Sequence, residues 1–160
     1  MTSNEKGLRD DVLSLLGGGG AHATLEQAVK DFPEKLRGQK VKSLPHSGWM
    51  LLEHIRIAQW DILEFSRNAK HKSPDWPKGY WPDTAEPPAT AAWDKSLRQI
   101  RRDLKEMSEL VANPKTELLA RIPWGDGQTI LREALLIADH NAYHVAQIVD
   151  LRRLLGAWEK

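Results

Sequence analysis

Six histidines are the residues of this 160-residue chain best placed to do chemistry beyond packing. His140 and His144 stand one helical turn apart in "DHNAYHVAQIVDLRRLLGAW", residues 139–158. His140 follows Ile137 by three and His144 precedes Ile148 by four, and Ile148, Leu151 and Leu155 continue that face. Both imidazoles are therefore expected to point into a helix-packed interior. His54 lies beside the apolar stripe Leu51, Ile55, Ala58, Ile62 and Phe65 of an earlier helix. Three inward neutral imidazoles on facing helices suit Zn, Ni, Cu or Fe. Three protein ligands leave positions for water or substrate, the form of a catalytic site. The competing reading is three hydrogen-bonded core histidines, and the HxxxH spacing alone does not separate the two. His22 and His71 fall in loop-like sequence and read as solvated, while His46, at the start of a helix, is a candidate for a pocket rim.

Other chemistries fit less well. The pair reads "HNAYH", with Asn141 where a zinc protease carries its glutamate base. No glutamate stands three residues before a histidine, which disfavours a di-iron carboxylate bundle. There is no Gly-x-Ser-x-Gly, phosphate-binding loop or dinucleotide fingerprint. The run "GGGG" (17–20) has no strand pattern before it and no Lys-Ser/Thr after it, and reads as a flexible joint. Asp139, Asn141 and Gln147 are candidates to steady the imidazoles from behind. Glu53 and Asp61 are weaker candidates and read as solvated.

The elements that must position these residues are helices. Apolar spacing predicts helices over about 4–16, 24–31, 45–68 and 89–112, and a last one from Asp126 or Thr129 to about Leu155. Thr24 is a plausible cap, Pro45 suits a first turn, and Gly156 is a natural stop. A loop rich in Pro and Trp, "HKSPDWPKGYWPDTAEPP" (71–88), separates the second and third long helices, and its prolines exclude a long element. No alternating strand pattern is evident. The fold class expected is all-α, a four-helix bundle forming one domain over residues 1–160. Seven tryptophans are spread along the chain, most expected to fill gaps between helices, with Trp76 and Trp81 candidates to line a pocket.

Composition narrows the function classes. The 23 basic and 22 acidic residues nearly cancel, so binding to nucleic acid through phosphate neutralisation is not expected. There is no cysteine, which removes disulfides, thiolate ligands and cysteine nucleophiles. The N-terminal stretch lacks a basic start and apolar core, and the longest uncharged run contains the four glycines, so no membrane span and a cytoplasmic location are expected.

"LPHSGWMLLEHIRIAQWDILEFSR" (44–67), "DWPKGYWP" (75–82), Trp93 and "REALLIADHNAYHVAQIVDLRRLLGAW" (132–158) together resemble the DinB-like (DinB/YfiT) superfamily of metalloenzymes, in that order and over nearly the whole chain. The resemblance implies a bundle in up-down-down-up order with a long crossover, and metal ligands at His54, His140 and His144. It also implies a divalent metal, with zinc or nickel expected. The expected activity is a thiol-dependent S-transferase or related transferase or hydrolase acting on a small molecule, with a low-molecular-weight thiol as partner. The alternative is a non-catalytic, dimeric metal-binding or small-molecule-binding stress protein, and wide apolar faces make a homodimer the expected assembly in either case. Ala146 departs from the glycine often found in the family at that position, which implies a small change in helix packing.

Overall fold

The computed structural model describes residues 2–158. Five α-helices follow one another: α1 (Ser3–Gly17), α2 (Leu25–Val29), α3 (Gly48–Arg67), α4 (Ala92–Ala112) and α5 (Ile130–Leu154). Among the described residues the only β-type pairing is a single antiparallel bridge between Arg121 and Thr129. The expected all-α class is therefore observed. Among the described residues no helix is long and apolar enough to cross a membrane.

The helix starts have local chemical causes. Thr2 and Thr24 each accept a hydrogen bond from the backbone of the residue three on, and the Glu5 and Gln27 side chains accept one from the cap residue's own N–H. These reciprocal boxes satisfy two of the amides that a helix start leaves orphaned. Thr129, not Asp126, caps α5 by accepting from the Arg132 amide. The second long helix starts later than Pro45 suggested. Ser47, fully buried, accepts from the Met50 amide and donates to the Ala85 carbonyl, so the helix begins at Gly48. Gly48 itself packs so closely on Phe32 that a Cβ there would stand 2.7 Å from the ring. At the other end of α1, Gly18 and Gly19 adopt φ of 69° and 83°, a region other residues rarely enter, so the tetraglycine is a helix stop.

Long helices α1 and α3 each pack against both α4 and α5, so the two pairs alternate around the bundle, and α2 rests on α5. The stripe read from the sequence is the observed seam: Leu51, Ile55, Ala58 and Ile62 of α3 are buried, as are Trp93, Leu97, Ile100, Met107 and Val111 of α4. The core divides into two apolar clusters. One gathers Phe32, Leu52, Ile55, Trp93, Ile100, Ile148 and Leu151. The other gathers Val12, Leu63, Met107, Val111, Ala134 and Ile137. Two buried arginines close helix ends between layers. Arg9 donates to the carbonyls of Val111, Asn113 and Thr116 at the end of α4, and Arg152 to those of Ala28 and Lys30 at the end of α2. These bonds satisfy carbonyls that a helix terminus leaves without an internal partner.

Candidate metal centre

The boundary between the two apolar clusters falls between Ile55 and Ile62 on α3 and between Ile137 and Val145 on α5, and the three histidines lie on the first-cluster side of it or within it. His54 precedes Ile55 of the first cluster by one residue; His140 and His144 stand between Ile137 of the second and Ile148 of the first. Packing α3 on α5 therefore brings the three imidazoles together. His54 and His144 are buried and His140 is half-buried. Their ligand nitrogens all lie within 4.8 Å of one another.

The ring orientations follow from what stands behind each imidazole. His54 Nδ1 is 2.8 Å from the Tyr80 carbonyl, which can only accept, so Nδ1 carries the proton and Nε2 presents a lone pair. That lone pair faces His140 Nε2 at 3.0 Å. His144 Nδ1 is 2.7 Å from Gln147 Oε1, which turns its Nε2 forward in the same way. A divalent cation bound at roughly 2.0–2.1 Å holds adjacent nitrogens about 2.9–3.4 Å apart. The His54–His140 pair already has that separation. The donor set of three neutral imidazoles without a carboxylate or thiolate suits zinc and later first-row metals, so the residues fit the group.

Electrostatics keep the rings in the binding form. Burial pushes His140 down to about 4, reinforced by its neighbours His144 and His54, while the Asn141 side chain opposes the shift. Burial likewise pushes His144 down to about 4, against the opposing bond to Gln147. His54 is lowered by burial, with the Tyr80 carbonyl opposing. Neutral imidazoles near pH 7 need no proton removed before they bind a cation.

The other expected residues divide. Gln147 reaches its imidazole. Asn141 faces His140 with its side chain and also donates its amide to Gln59 Oε1 at 2.8 Å, and Gln59 in turn donates to the Ile100 carbonyl, tying α5 to α3 and α4 through the core. Asp139 is exposed and borders a different crevice, between α5 and the tetraglycine segment. The expectation that it steadies an imidazole is corrected: it sits about 100° around the helix from His140. Ala146 is exposed, so the expected change in helix packing has no neighbour to act on. His46 and Trp81 are at the site: Trp81 stacks on His54 at 3.9 Å and on His46 at 4.0 Å. Trp76 is at the mouth of the cavity, 76% exposed.

Glu53 and Asp61 are buried rather than solvated. Glu53 is paired with Arg56 and accepts from Ser96. Asp61 accepts from the Tyr80 hydroxyl at 2.6 Å and from His71 Nε2 at 2.7 Å. His71 is correspondingly not solvated, its side chain only 7% exposed. Asp61 thus fastens both ends of the 71–80 segment to α3, and that segment supplies the carbonyl that orients His54. Tyr80, pushed up to about 12 mainly by burial and then by Asp61, stays a neutral donor. Sequence reasoning passed over Tyr80, Tyr143 and this role of Asp61. One signal was available: Asp61 follows His54 by seven residues, two helical turns along the same face.

A cavity of about 520 Å³ opens in front of the cluster, lined by all three histidines and His46 with Asp61, Tyr80, Trp81 and Tyr143. If the cluster holds a metal, Gln147→Leu is expected to weaken zinc affinity by about 10–100-fold, since loss of the acceptor frees the His144 ring to turn and lowers its basicity. Competition against a chromophoric chelator measures this, and an unchanged affinity would show that Gln147 does not orient the ligand.

No curated protein and no solved structure matches the chain. A family model does: that of the DinB superfamily matches residues 20–148, a span holding α2, α3, α4, most of α5 and every residue of the histidine cluster. The chain belongs to the DinB superfamily.

Proposed function

We propose that this protein is a divalent-metal-dependent enzyme that joins a low-molecular-weight thiol to a small electrophile, with zinc or nickel held by His54, His140 and His144. One observation carries the reading: the three nitrogens converge at the floor of an open cavity of small-molecule size instead of in a sealed core. A purely structural or storage role leaves that opening unexplained. When bound, the metal supplies Lewis acidity, which favours ionisation of a thiol near neutral pH. The chain's own residues do the rest. Tyr80 and Gln147 hold the rings in register, and Trp81 covers His54. A chain without cysteine takes its sulfur from the substrate side.

The reaction balances simply. The thiol sulfur bonds to the electrophilic carbon, the halide on that carbon leaves, and the thiol proton passes to solvent. The test is elemental analysis of the purified protein with an assay of aryl-halide conjugation against a set of small thiols. Turnover lost on chelation and restored by zinc or nickel is the expected result. Absence of turnover with every thiol sinks the transferase reading and leaves the metal assignment to its own experiment.

A further inference from the structure

A second cavity, of about 670 Å³, opens on the other face of α5, between the end of α1, the tetraglycine segment, the start of α2 and α4. It shares no lining residue with the cavity at the histidines: His140, Tyr143 and His144 line that one, Ala138, Asp139 and Ala142 this one. Small residues leave the space open. A Cβ placed on Gly17, Gly18 or Gly20 would meet no atom within 4 Å, and α5 adds only the methyl groups of Ala138 and Ala142, one turn apart.

The walls are apolar. Leu16, Ile100 and Val145 are buried beneath the crevice. Leu15 of α1 and Leu135 of α5 line it while 53% and 40% exposed, so apolar surface on two of its walls is left in water. Covering that surface with an apolar body is favourable.

The charges around the crevice do not balance. Arg101 is committed to Glu26 through two contacts of 2.7 Å. Asp11 of α1 and Asp139 of α5 also line it, both are exposed, and among the described residues their carboxylates have no hydrogen bond and no ion pair. No lysine and no second arginine lines it. Two uncompensated negative charges therefore flank an apolar slot, whose low-dielectric walls strengthen their field. An anion is repelled there and a cation is drawn in.

We propose that this crevice is a second ligand site, which takes an organic ammonium ion carrying an apolar chain. The chain lies against Leu15, Leu135 and the glycine segment, and the cationic head lies at Asp11 and Asp139. Neither the metal centre nor the reaction proposed there enters this inference.

The probe is octyltrimethylammonium, and 1-octanol is its neutral counterpart. The quaternary nitrogen has no lone pair to offer a metal, and a divalent cation at the histidines repels it, so the full-length protein is titrated in its zinc-loaded form. Binding followed by amide NMR shifts is expected to favour the ammonium over octanol by about fivefold, with the shifts centred on residues 17–20 and on Leu135, Ala138 and Ala142. The double variant Asp11→Asn, Asp139→Asn is expected to lose that preference and to bind octanol as wild type does. Leu135→Ala is expected to weaken both probes by about threefold to fivefold. All three positions are exposed, and circular dichroism confirms the fold of each variant. The proposal is overturned if the ammonium does not bind or binds no tighter than octanol, or if the double variant keeps the preference. It is equally overturned if the shifts fall on Tyr80, Trp81 and His144, or if affinity drops as protein concentration rises, which would give the face to a second copy of the chain.

Discussion

Replacing His140 with alanine is expected to leave the purified protein without stoichiometric metal after dialysis, where the wild type keeps about one ion per chain. His54 Nε2 and His140 Nε2 are 3.0 Å apart with the His54 lone pair fixed by the Tyr80 carbonyl, and His144 is turned inward by Gln147. Removing one of three ligands leaves two imidazoles, and the loss exceeds the roughly 10–100-fold expected for a group behind a ligand. His54→Ala and His144→Ala are expected to do the same. His71→Ala supplies the contrast. Its side chain is buried, yet it faces Asp61 and stands outside the cluster; because it anchors the segment that carries Tyr80, its removal is expected to weaken metal binding while leaving the three ligands and stoichiometric metal in place. Elemental analysis of the four variants decides. Full metal content in any of the three cluster variants, with the fold intact by circular dichroism, rejects the assignment of that histidine.

What could be read in advance is what helical periodicity alone determines. The stripe through Leu51, Ile55 and Ile62 fixes which way His54 points, and the spacing of Ile137, His140, His144 and Ile148 does the same on the last helix. Both faces turned out to be the ones that meet. The capping residues Thr24 and Thr129 were legible because their chemistry is local. The parts read wrongly depend on how a loop returns. His71 and Asp61 look solvated in sequence, since nothing in the segment 68–91 says that it folds back on α3. Burial of Asp61 comes from the Tyr80 hydroxyl and His71 closing over it, a non-local event. The start of α3 was misplaced for a similar reason: Pro45 is compatible with a first turn, but Ser47 is secured by the distant Ala85 carbonyl. Asp139 was misassigned through a simpler error, the choice of adjacency in sequence over position around the helix.

Lowering the pH from 7 to 4.5 is expected to destabilise the metal-free protein through the same histidines. Their folded-state values, about 4 for His140 and His144 and lowered for His54, lie below the 6.5 of the free side chain. Between those limits the unfolded chain binds more protons than the folded one, so stability falls as pH falls. The contribution is complete above about 6.5 and lost progressively toward about 4. A shift of this size corresponds to about 3 kcal/mol per ring at full burial. The rings border a water-accessible cavity, so about half of that, roughly 1–2 kcal/mol each, is the expected share. Asp103 acts in the opposite sense. Burial raises its carboxyl, so the folded state holds that proton more tightly and gains stability as pH falls toward the ordinary carboxylate range. The readout is therefore a difference. Urea midpoints of wild type and of the double variant His140→Leu, His144→Leu are measured across this range, and the wild type is expected to lose more. Equal slopes for the two proteins would mean that the histidines are already solvated in the fold and that burial does not hold them neutral. Because protonation removes the lone pair that a cation needs, zinc release on acidification belongs to the same window, and its midpoint is expected to lie at lower pH as zinc concentration rises.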